Sequence, residues 1–374
     1  MIFVASCLFG MEKFVAEDID ALGYKRLETM DGRVIFEAPP EAVARCSVFF
    51  RYAERLYVSV GEFYAYDFDE LFEGVKALPW QEYIPKDGAF PVKGHAIKSK
   101  LFSVPDCQKI VKKAIVEKLK KNYGLSVFPE TGKKVQVEFF IFKDKATIMI
   151  DTSGVGLHKR GYRTEANDAP LRETLAAALV KLSRPRENVI TVDPLCGSGT
   201  IAIEAALLVT NTAPGMKRTF AGESLVFFDD AIWGRAREEA ESLQSSWCGG
   251  IYGYDIDPKC IEVSRQNAKR AGVEKLVEFA VGDVRKFKSP VDNARGTIVT
   301  NPPYGERMSD RKEAELLYKE MGRVFTKEVP FWQIYVLTCN EMFERCFGRR
   351  ANKVRKLYNG MIPCTYYQFF KNNK

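Results

Sequence analysis

The residues best suited to chemistry in this sequence are Asn301-Pro302-Pro303-Tyr304-Gly305. The amide oxygen of Asn301 and the carbonyl of Pro302 are two acceptors that proline's locked φ holds at a fixed distance. Such a pair matches the two N–H donors of one planar exocyclic amine, and Tyr304 adds a ring on which a flat base can stack. Accepting both hydrogens localises and aims the amine's lone pair, so that no strong base is required. The motif therefore predicts a site in which an exocyclic amine is the nucleophile.

The motif must lie at the end of a β-strand. It follows the apolar run from Gly296 to Thr300, and two prolines force the chain out of a sheet because proline cannot donate to the ladder. Open α/β sheets place their chemistry at the carboxyl ends of their strands. These residue types alone also suit an ordinary turn, so the neighbouring segments decide between the two interpretations.

A second candidate segment runs from Asp193 to Thr200, with the sequence DPLCGSGT, between a predicted strand at 188–192 and a predicted helix at 201–209. Gly197 and Gly199 allow close backbone approach to a ligand, and the helix start offers unpaired N–H donors. The segment lacks the terminal lysine of a phosphate loop and the third glycine of the dinucleotide fingerprint. We interpret it as a binding turn for another kind of cofactor.

The next predicted strand, 250–254, ends at Asp255, a carboxylate placed to accept two ribose hydroxyls. Asp255 follows Asp193 by 255 − 193 = 62 residues, whereas a plain dinucleotide fold has about 20. An insertion must lie between them. Its aromatic run, 220–233, could pack on the domain or stack on a nucleic acid, and packing is the favoured alternative.

Taken together, these motifs resemble S-adenosylmethionine-dependent methyltransferases that act on adenine N6 or guanine N2. The form ending in Gly305 and followed by Glu306-Arg307 is similar to RNA guanine-N2 methyltransferases that carry a THUMP domain, and most similar to the bacterial large-subunit ribosomal RNA enzymes. The resemblance implies an α/β class I methyltransferase fold, Rossmann-like, with a seven-stranded sheet whose last strand is antiparallel. An α+β ferredoxin-like and THUMP RNA-binding region would precede it. The expected domains are 1–60 (ferredoxin-like), 45–155 (THUMP, with an overlapping boundary) and 163–374 (catalytic).

The resemblance also implies roles for individual residues. Asp193 would face the positively charged end of S-adenosylmethionine, and Asp283 in the Gly282-Asp283-Val284 segment would accept from the adenine amino group. The expected catalytic residues are Asn301, Pro302, Pro303 and Tyr304. The expected cofactor-binding residues are Asp193, Cys196, Gly197, Ser198, Gly199, Thr200, Asp255, Ile256, Asp283, Val284 and Asn301. The stretch from Ala169 to Ala177 (APLRETLAA) also resembles the family and is expected to pack near the cofactor.

The first 150 residues read as a β-α-β-α-β unit followed by a THUMP-like region with a lysine-rich helix at 105–123. Such a lysine run can be simply a solvated face, but the resemblance implies phosphate contacts. The loop 157–163, LHKRGYR, is either a linker or a functional loop near the RNA, and we favour the latter. We do not expect His158 to act as a general base. The expected RNA-binding residues are Lys98, Lys100, Lys109, Lys112, Lys113, His158, Lys159, Arg160 and Arg163.

The composition is that of a globular protein of two or three domains: 374 residues, 46% hydrophobic and 28% charged. A net charge of +7 favours a polyanionic partner without proving one. Nine scattered cysteines, no C-x-x-C pair and two histidines argue against a zinc site or a disulfide framework and favour the cytoplasm. We interpret the apolar start, 1–11, as a first strand rather than a signal peptide, and no apolar run has the length of a membrane span.

The sequence therefore predicts methylation of guanine N2 in RNA, with 23S ribosomal RNA favoured as the substrate. Transfer RNA stays open, because THUMP domains occur on enzymes for both. Adenine N6 in DNA or RNA is an alternative that shares the motif. A non-catalytic RNA-binding assembly factor is a second alternative, against which the intact acidic residues weigh. The oligomeric state is not predicted.

Overall fold

The computed structural model describes residues 1–163, 171–305 and 308–370, and only the backbone at 308 and 309. Two predicted features, Ala169-Pro170 and Glu306-Arg307, lie outside the described residues. The chain divides into two compact units. The first unit comprises Met1–Cys7, Val15–Leu157 and Arg218–Glu239. The second unit comprises Leu8–Phe14, His158–Lys217 and Ala240–Lys374.

The first half of the chain builds a seven-stranded sheet. Its elements are β1 (Ile2–Ser6), α1 (Glu12–Ala21), β2 (Lys25–Met30), β3 (Arg33–Glu37), α2 (Ala42–Phe49), β4 (Arg55–Tyr64), α3 (Phe68–Ala77), β5 (Val92–Ile97), α4 (Val104–Tyr123), β6 (Val137–Phe142) and β7 (Lys145–Asp151). The strand order is β2-β3-β1-β4-β7-β6-β5. Only β5 and β6 pair in parallel; all other neighbours are antiparallel.

Strand β4 belongs to both predicted N-terminal regions. It pairs with β1 on one side and with β7 on the other, so the ferredoxin-like and THUMP-like parts share one continuous sheet. This sharing gives a physical reason for the overlap, at 45–60, between the two domain ranges expected from the sequence.

The predicted β-α-β-α-β order was wrong by one strand. Strand β2, Lys25–Met30, had not been predicted, and five of its six side chains are exposed. An edge strand with no buried face carries no alternation of apolar and polar residues, which is the signal used to find strands. With β2 included, the order is β-α-β-β-α-β, the split βαβ arrangement.

The second half of the chain builds the second seven-stranded sheet. Its elements are α5 (Glu173–Ser183), β8 (Ile190–Asp193), α6 (Thr200–Val209), α7 (Ala231–Ser242), β9 (Ile251–Asp255), α8 (Pro258–Ala271), β10 (Val277–Val281), β11 (Gly296–Thr300), α9 (Met308–Glu328), β12 (Gln333–Thr338), α10 (Phe343–Phe347), β13 (Lys353–Asn359) and β14 (Ile362–Phe369). The strand order is β10-β9-β8-β11-β12-β14-β13.

The five strands from β10 to β12 are parallel, and the terminal hairpin β13–β14 joins β12 in antiparallel register. This confirms the predicted antiparallel last strand. The central parallel strands are covered on both faces, as parallel sheets require, since every residue of β8 and of β11 is buried. The core around β11 includes Ile298, Phe325, Trp332 and Val336.

The insertion between β8 and β9 leaves the second unit. Residues 218–239 belong to the first unit, where the rings of Phe220 and Trp233 stack with centroids 5.5 Å apart and both side chains are buried. Phe228 is buried as well. Packing, the alternative favoured from the sequence, is therefore what these aromatic residues do. None of the helices within the described residues is long and apolar enough to span a membrane.

Candidate active site

The two motifs meet because β8 and β11 are adjacent parallel strands. Asp193 ends β8, and Thr300 ends β11 immediately before Asn301. The Thr300 hydroxyl donates to Asp193 Oδ1 at 2.7 Å, and the Leu195 N–H donates to the same oxygen at 3.2 Å. Asp193 thus connects the glycine turn to the strand that delivers the Asn-Pro-Pro-Tyr motif.

Burial dominates the electrostatics of Asp193, whose exposed fraction is 2%. Desolvation raises the pKa of this carboxyl group to about 7, although the hydrogen bonds from Thr300 and Leu195 favour the charged form. The group therefore changes its charge near neutral pH. Its expected role opposite a cationic group would be fulfilled only in the deprotonated form.

The glycine turn is shaped by two positive φ angles. Gly199 has φ +83° at the start of α6, and a Cβ there would lie 2.9 Å from both Phe279 Cζ and Ser264 Cβ. Gly197 has φ +52°, and no atom lies within 4 Å of the point where its Cβ would be. The turn is consequently packed on the protein at Gly199 and open at Gly197. Asn267 Nδ2 supports it by donating to the Ser198 carbonyl at 3.0 Å.

Asp255 lies at the end of β9, beside this open turn. Its Oδ2 accepts from the Gly197 N–H at 2.9 Å, and its Oδ1 accepts from the Asp257 N–H at 3.0 Å. Ile256 follows with 56% of its surface exposed. An exposed aliphatic side chain next to a strand-end carboxylate offers an apolar face for a base beside an acceptor for a ribose.

Asp283 follows β10 and is paired with Arg285. The Arg285 Nε lies 2.9 Å from Asp283 Oδ1, and Nη2 lies 2.8 Å from Oδ2. This hydrogen-bonded guanidinium lowers the pKa of Asp283, so the carboxylate stays charged. Val284 is buried against the core, so its side chain supports the turn. Sequence reasoning had not identified Arg285, which holds Asp283 in a defined orientation.

The Asn-Pro-Pro-Tyr motif folds onto itself. The Tyr304 hydroxyl donates to Asn301 Oδ1 at 2.6 Å, and Cys364 on β14 lies 3.8 Å from the same hydroxyl. Burial raises the pKa of Tyr304, which keeps the hydroxyl protonated and able to donate. One of the two acceptors expected to bind an amine is thus already hydrogen-bonded in this structure.

A further residue of the site had not been predicted. The Tyr318 hydroxyl, on α9, donates to the Pro303 carbonyl at 2.6 Å and lies 3.2 Å from Thr338 Oγ1 at the end of β12. Tyr318 is fully buried. It fixes the Pro303 carbonyl and leaves the expected acceptor role to the carbonyl of Pro302. A tyrosine fourteen residues after Tyr304 carries no local sequence signal for such a contact.

Four of the expected RNA-binding lysines in the first unit are exposed: Lys98, Lys100, Lys109 and Lys113. Lys112 is different. Its Nζ pairs with Glu130 at 2.6 Å and donates to the Phe90 carbonyl at 3.0 Å, half-buried against the Phe90 ring. Because the Lys112 ammonium group is already paired within the first unit, the structure does not support its expected contact with phosphate.

Exposed aromatic residues accompany these lysines and had not been predicted. Phe102, two residues after Lys100, is 82% exposed, and the Lys100 Nζ lies 5.1 Å from the centre of the Tyr66 ring. Unpaired bases stack on exposed aromatic rings that lie beside exposed cations. We therefore add Phe102 to the residues proposed to contact RNA.

The loop 158–163 contains two buried cations. Arg163 pairs with Glu173 at 2.8 Å and donates to the Leu171 carbonyl, with 9% of its side chain exposed. Arg160 is 3% exposed, with its Nε 3.7 Å from Glu204 Oε1. The structure does not support the expected RNA contacts of Arg160 and Arg163, because both side chains are buried beside carboxylates. Lys159 is exposed and His158 is half-buried.

The residues around the glycine turn fit S-adenosylmethionine. There is open space at Gly197, and the Asp255 carboxylate beside it is an acceptor for a ribose. The exposed Ile256 adds an apolar surface for a base. Within the described residues, no group of His, Cys, Asp and Glu could hold a metal ion.

This sheet order, with the glycine turn after one strand and Asn-Pro-Pro-Tyr after its neighbour, defines an S-adenosylmethionine-dependent methyltransferase. The family models are consistent along the chain: an RMKL-like methyltransferase domain matches residues 160–368, a THUMP domain 65–151, and an RlmL ferredoxin-like domain 2–57. The chain belongs to the RMKL-like methyltransferase family.

Relatives agree with this assignment. The chain is 45% identical over 370 residues to the putative RNA methyltransferase YpsC of Bacillus subtilis (strain 168), covering 98% of this chain and 95% of that protein. It is 37% identical over 361 residues to the ribosomal RNA large subunit methyltransferase K/L of Aliivibrio salmonicida, covering 95% of this chain. The chain spans 51% of the length of that relative. Among solved structures, SMU.472, a putative methyltransferase complexed with SAH, superposes with a TM-score of 0.92 at 41% identity, covering 100% of this chain and 98% of that one.

Proposed function

We propose that this protein methylates the exocyclic N2 amine of a guanine in RNA, with 23S ribosomal RNA as the favoured substrate. The observation that carries the proposal is the placement of Asn301-Pro302-Pro303-Tyr304 at the end of β11, next to the glycine turn after β8. An RNA substrate is supported by the THUMP domain and by the names of the two relatives.

In the proposed reaction the target base leaves its helix and stacks on the Tyr304 ring. Asn301 Oδ1 and the Pro302 carbonyl accept the two amine hydrogens, which aims the nitrogen lone pair and stabilises the positive charge that develops on it. When bound, S-adenosylmethionine would supply the electrophilic methyl group and leave as S-adenosylhomocysteine, and the methylated amine would release one proton to solvent. The Tyr304 hydroxyl must release Asn301 Oδ1 as the amine arrives, so substrate binding exchanges one hydrogen bond for another.

The remaining residues hold the cofactor. Asp255 accepts the ribose hydroxyls, Ile256 packs on the adenine, and Asp283 accepts from the adenine amine. Asp193 faces the charged end of S-adenosylmethionine. The turn from Cys196 to Thr200 provides the close backbone approach. The lysines Lys98, Lys100, Lys109 and Lys113, with His158 and Lys159, contact RNA phosphates, and the proposed setting is the cytoplasm.

The experiment is transfer of labelled methyl groups to RNA from cells that lack this protein, followed by nucleoside analysis of separated ribosomal and transfer RNA. Label in N2-methylguanosine of ribosomal RNA is expected. Label only in transfer RNA would change the substrate, and label only in N6-methyladenosine would change the base. No label in any RNA, with cofactor bound, would favour the non-catalytic assembly factor.

A further inference from the structure

The second unit carries a basic groove that the assigned sites do not use. Helices α9 and α10 line an open groove of about 1090 Å³, here named the α9/α10 groove. Thirteen residues line it, five of which are cations and only one of which is a carboxylate, Glu315. The cations are Lys312, Lys319, Arg323, Lys327 and Arg345.

Most of this positive charge is not neutralised locally. Arg323 pairs with Glu320 at 2.7 Å and Lys327 with Glu328 at 3.1 Å, both on the exposed side of α9. Within the described residues, Lys312, Lys319 and Arg345 form no ion pair, and all three are exposed. A concave surface whose lining carries an excess of one sign of charge concentrates ions of the opposite sign.

The groove is coupled to the catalytic motif through α9. This helix begins three residues after Gly305, and its Tyr318 donates to the Pro303 carbonyl. The face with Tyr318, Met321 and Phe325 is buried, and the adjacent face forms the wall of the groove. Whatever binds the groove therefore binds the same helix that positions the motif.

The side chains that line the groove indicate which class of molecule binds there. Between the cations lie apolar side chains, among them Leu316, which is 64% exposed, and Met342. Alternating charged and apolar surface suits a nucleic-acid strand, whose phosphates meet the cations while its sugars and bases cover the apolar part. A purely apolar helix of a partner protein would leave three exposed cations facing it.

We propose that the α9/α10 groove binds the phosphate backbone of the RNA strand that flanks the target nucleotide. This inference rests on the proposed RNA substrate. The groove increases affinity for RNA and holds the strand from which the target base is extruded. It does not determine which RNA sequence is bound, because phosphate contacts carry no sequence information.

The test compares two double variants by binding to in vitro transcribed 23S ribosomal RNA over a range of salt concentrations. Lys319→Glu with Arg345→Glu reverses two cations of the groove. Lys269→Glu with Lys275→Glu reverses two exposed lysines of the same unit, one in the last turn of α8 and one in the loop after it, and serves as the matched control. Thermal unfolding and binding of S-adenosylhomocysteine confirm that each variant is folded with its cofactor cleft intact.

The groove variant should bind RNA about tenfold more weakly or worse at 0.1 M salt, with a salt slope shallower by about two, whereas the control should stay within about twofold of wild type. A neutral variant, Lys319→Gln with Arg345→Gln, should show a smaller loss in the same direction. Groove variants that bind RNA as tightly as wild type would overturn the inference and leave the methylation proposal untouched. Conversely, weakened RNA binding by the groove variant, together with no methyl transfer by wild type, would keep the groove and reject the proposed function.

Discussion

The hydroxyl of Tyr304 donates to Asn301 Oδ1 at 2.6 Å, three residues back along the chain. The two residues assigned to hold and to stack the target base therefore hold each other in the structure. In the proposed reaction, an entering base takes the Asn301 oxygen from Tyr304, and the ring is then free to stack on the base. The Tyr304 hydroxyl thus satisfies this partly buried acceptor in the absence of substrate.

The first prediction separates base binding from cofactor binding. Asn301→Ala should reduce methyl transfer to RNA by about 100-fold or more, because one group that stabilises the transition state is lost. Its dissociation constant for S-adenosylhomocysteine should stay near that of wild type. Asp255→Ala should behave in the opposite way, with weakened cofactor binding measured by calorimetry. Unchanged turnover of Asn301→Ala would remove the amine clamp from the mechanism.

The second prediction distinguishes the ring of Tyr304 from its hydroxyl. Tyr304→Phe keeps the stacking surface and frees Asn301 Oδ1, so its single-turnover rate should remain within a few-fold of wild type. Tyr304→Ala should lose base stacking, a loss of about 1–3 kcal/mol on the scale of other base–aromatic contacts. Equal rates for the two variants would mean that the ring does not stack on the base.

The third prediction concerns Tyr318 as a positioning residue. Tyr318→Phe removes the donor to the Pro303 carbonyl and should lower kcat about tenfold, since small displacements of a catalytic group are costly. The loss of the hydroxyl's contacts with the Pro303 carbonyl and with Thr338 should reduce the free energy of unfolding by about 1–2 kcal/mol. Tyr335→Phe is the control, because within the described residues its hydroxyl donates to Gln333 of the same strand and to no other group. A Tyr318→Phe enzyme with lost stability but full kcat would assign the residue a purely structural role.

How far the sequence predicts this structure depends on whether the relevant signal is local. The turn at Gly197, the carboxylates at Asp255 and Asp283 and the motif at Asn301 follow short patterns tied to strand ends, and the structure places them all at one edge of the second sheet. The missed features depend on distant partners. In the sequence, Lys112 cannot be distinguished from the neighbouring lysines, and Arg163 cannot be distinguished from an exposed loop cation. The ion pairs of Lys112 with Glu130 and of Arg163 with Glu173 form only in the folded protein.

The same reason explains the other differences. Strand β2 has no buried face, so nothing in Lys25–Met30 distinguishes it from a loop. Tyr318 reaches Pro303 because α9 packs in the same core as Ile298 of β11. Neither a hydrogen bond between residues fifteen apart nor the transfer of residues 218–239 to the first unit can be read from periodicity.

The fourth prediction is a pH dependence centred on Asp193. Burial raises the pKa of this group from the ordinary value of 3.8 to about 7, so the native protein holds a proton that the unfolded chain has already released. Between these pH values the free energy of unfolding falls as the pH rises, since the native state binds more protons. Affinity for S-adenosylmethionine should instead increase through pH 7, because only the carboxylate can attract the cationic end.

The control for the pH prediction is Asp193→Asn, which keeps an acceptor for Thr300. It should bind S-adenosylmethionine weakly at pH 8, and its affinity should change little between pH 6 and 8. Titration calorimetry at several pH values gives both quantities. A wild-type affinity that is flat across this range would show that Asp193 does not face the charged end of the cofactor.

The fifth prediction tests the packing of the glycine turn. Gly199→Ala introduces a Cβ 2.9 Å from Phe279 and Ser264 at a residue with φ +83°, so it should lower both the midpoint of thermal unfolding and cofactor affinity. Gly360→Ala is the matched control, since Gly360 also has a positive φ, +64°, but no atom lies within 4 Å of its Cβ position. Its cost should be limited to backbone strain of about 1 kcal/mol. Equal losses for the two variants would contradict the close packing at Gly199.

The most direct test of the proposed amine clamp uses a short RNA that contains the methylated site, once that site is mapped. The target guanosine is either kept or replaced by inosine. Inosine lacks the exocyclic amine that Asn301 and Pro302 are proposed to hold and leaves the rest of the base in place. Single-turnover assays with labelled S-adenosylmethionine should show transfer to the guanosine RNA and none to the inosine RNA. Equal labelling of both would show that the methyl group goes elsewhere and would contradict the amine clamp at the centre of this mechanism.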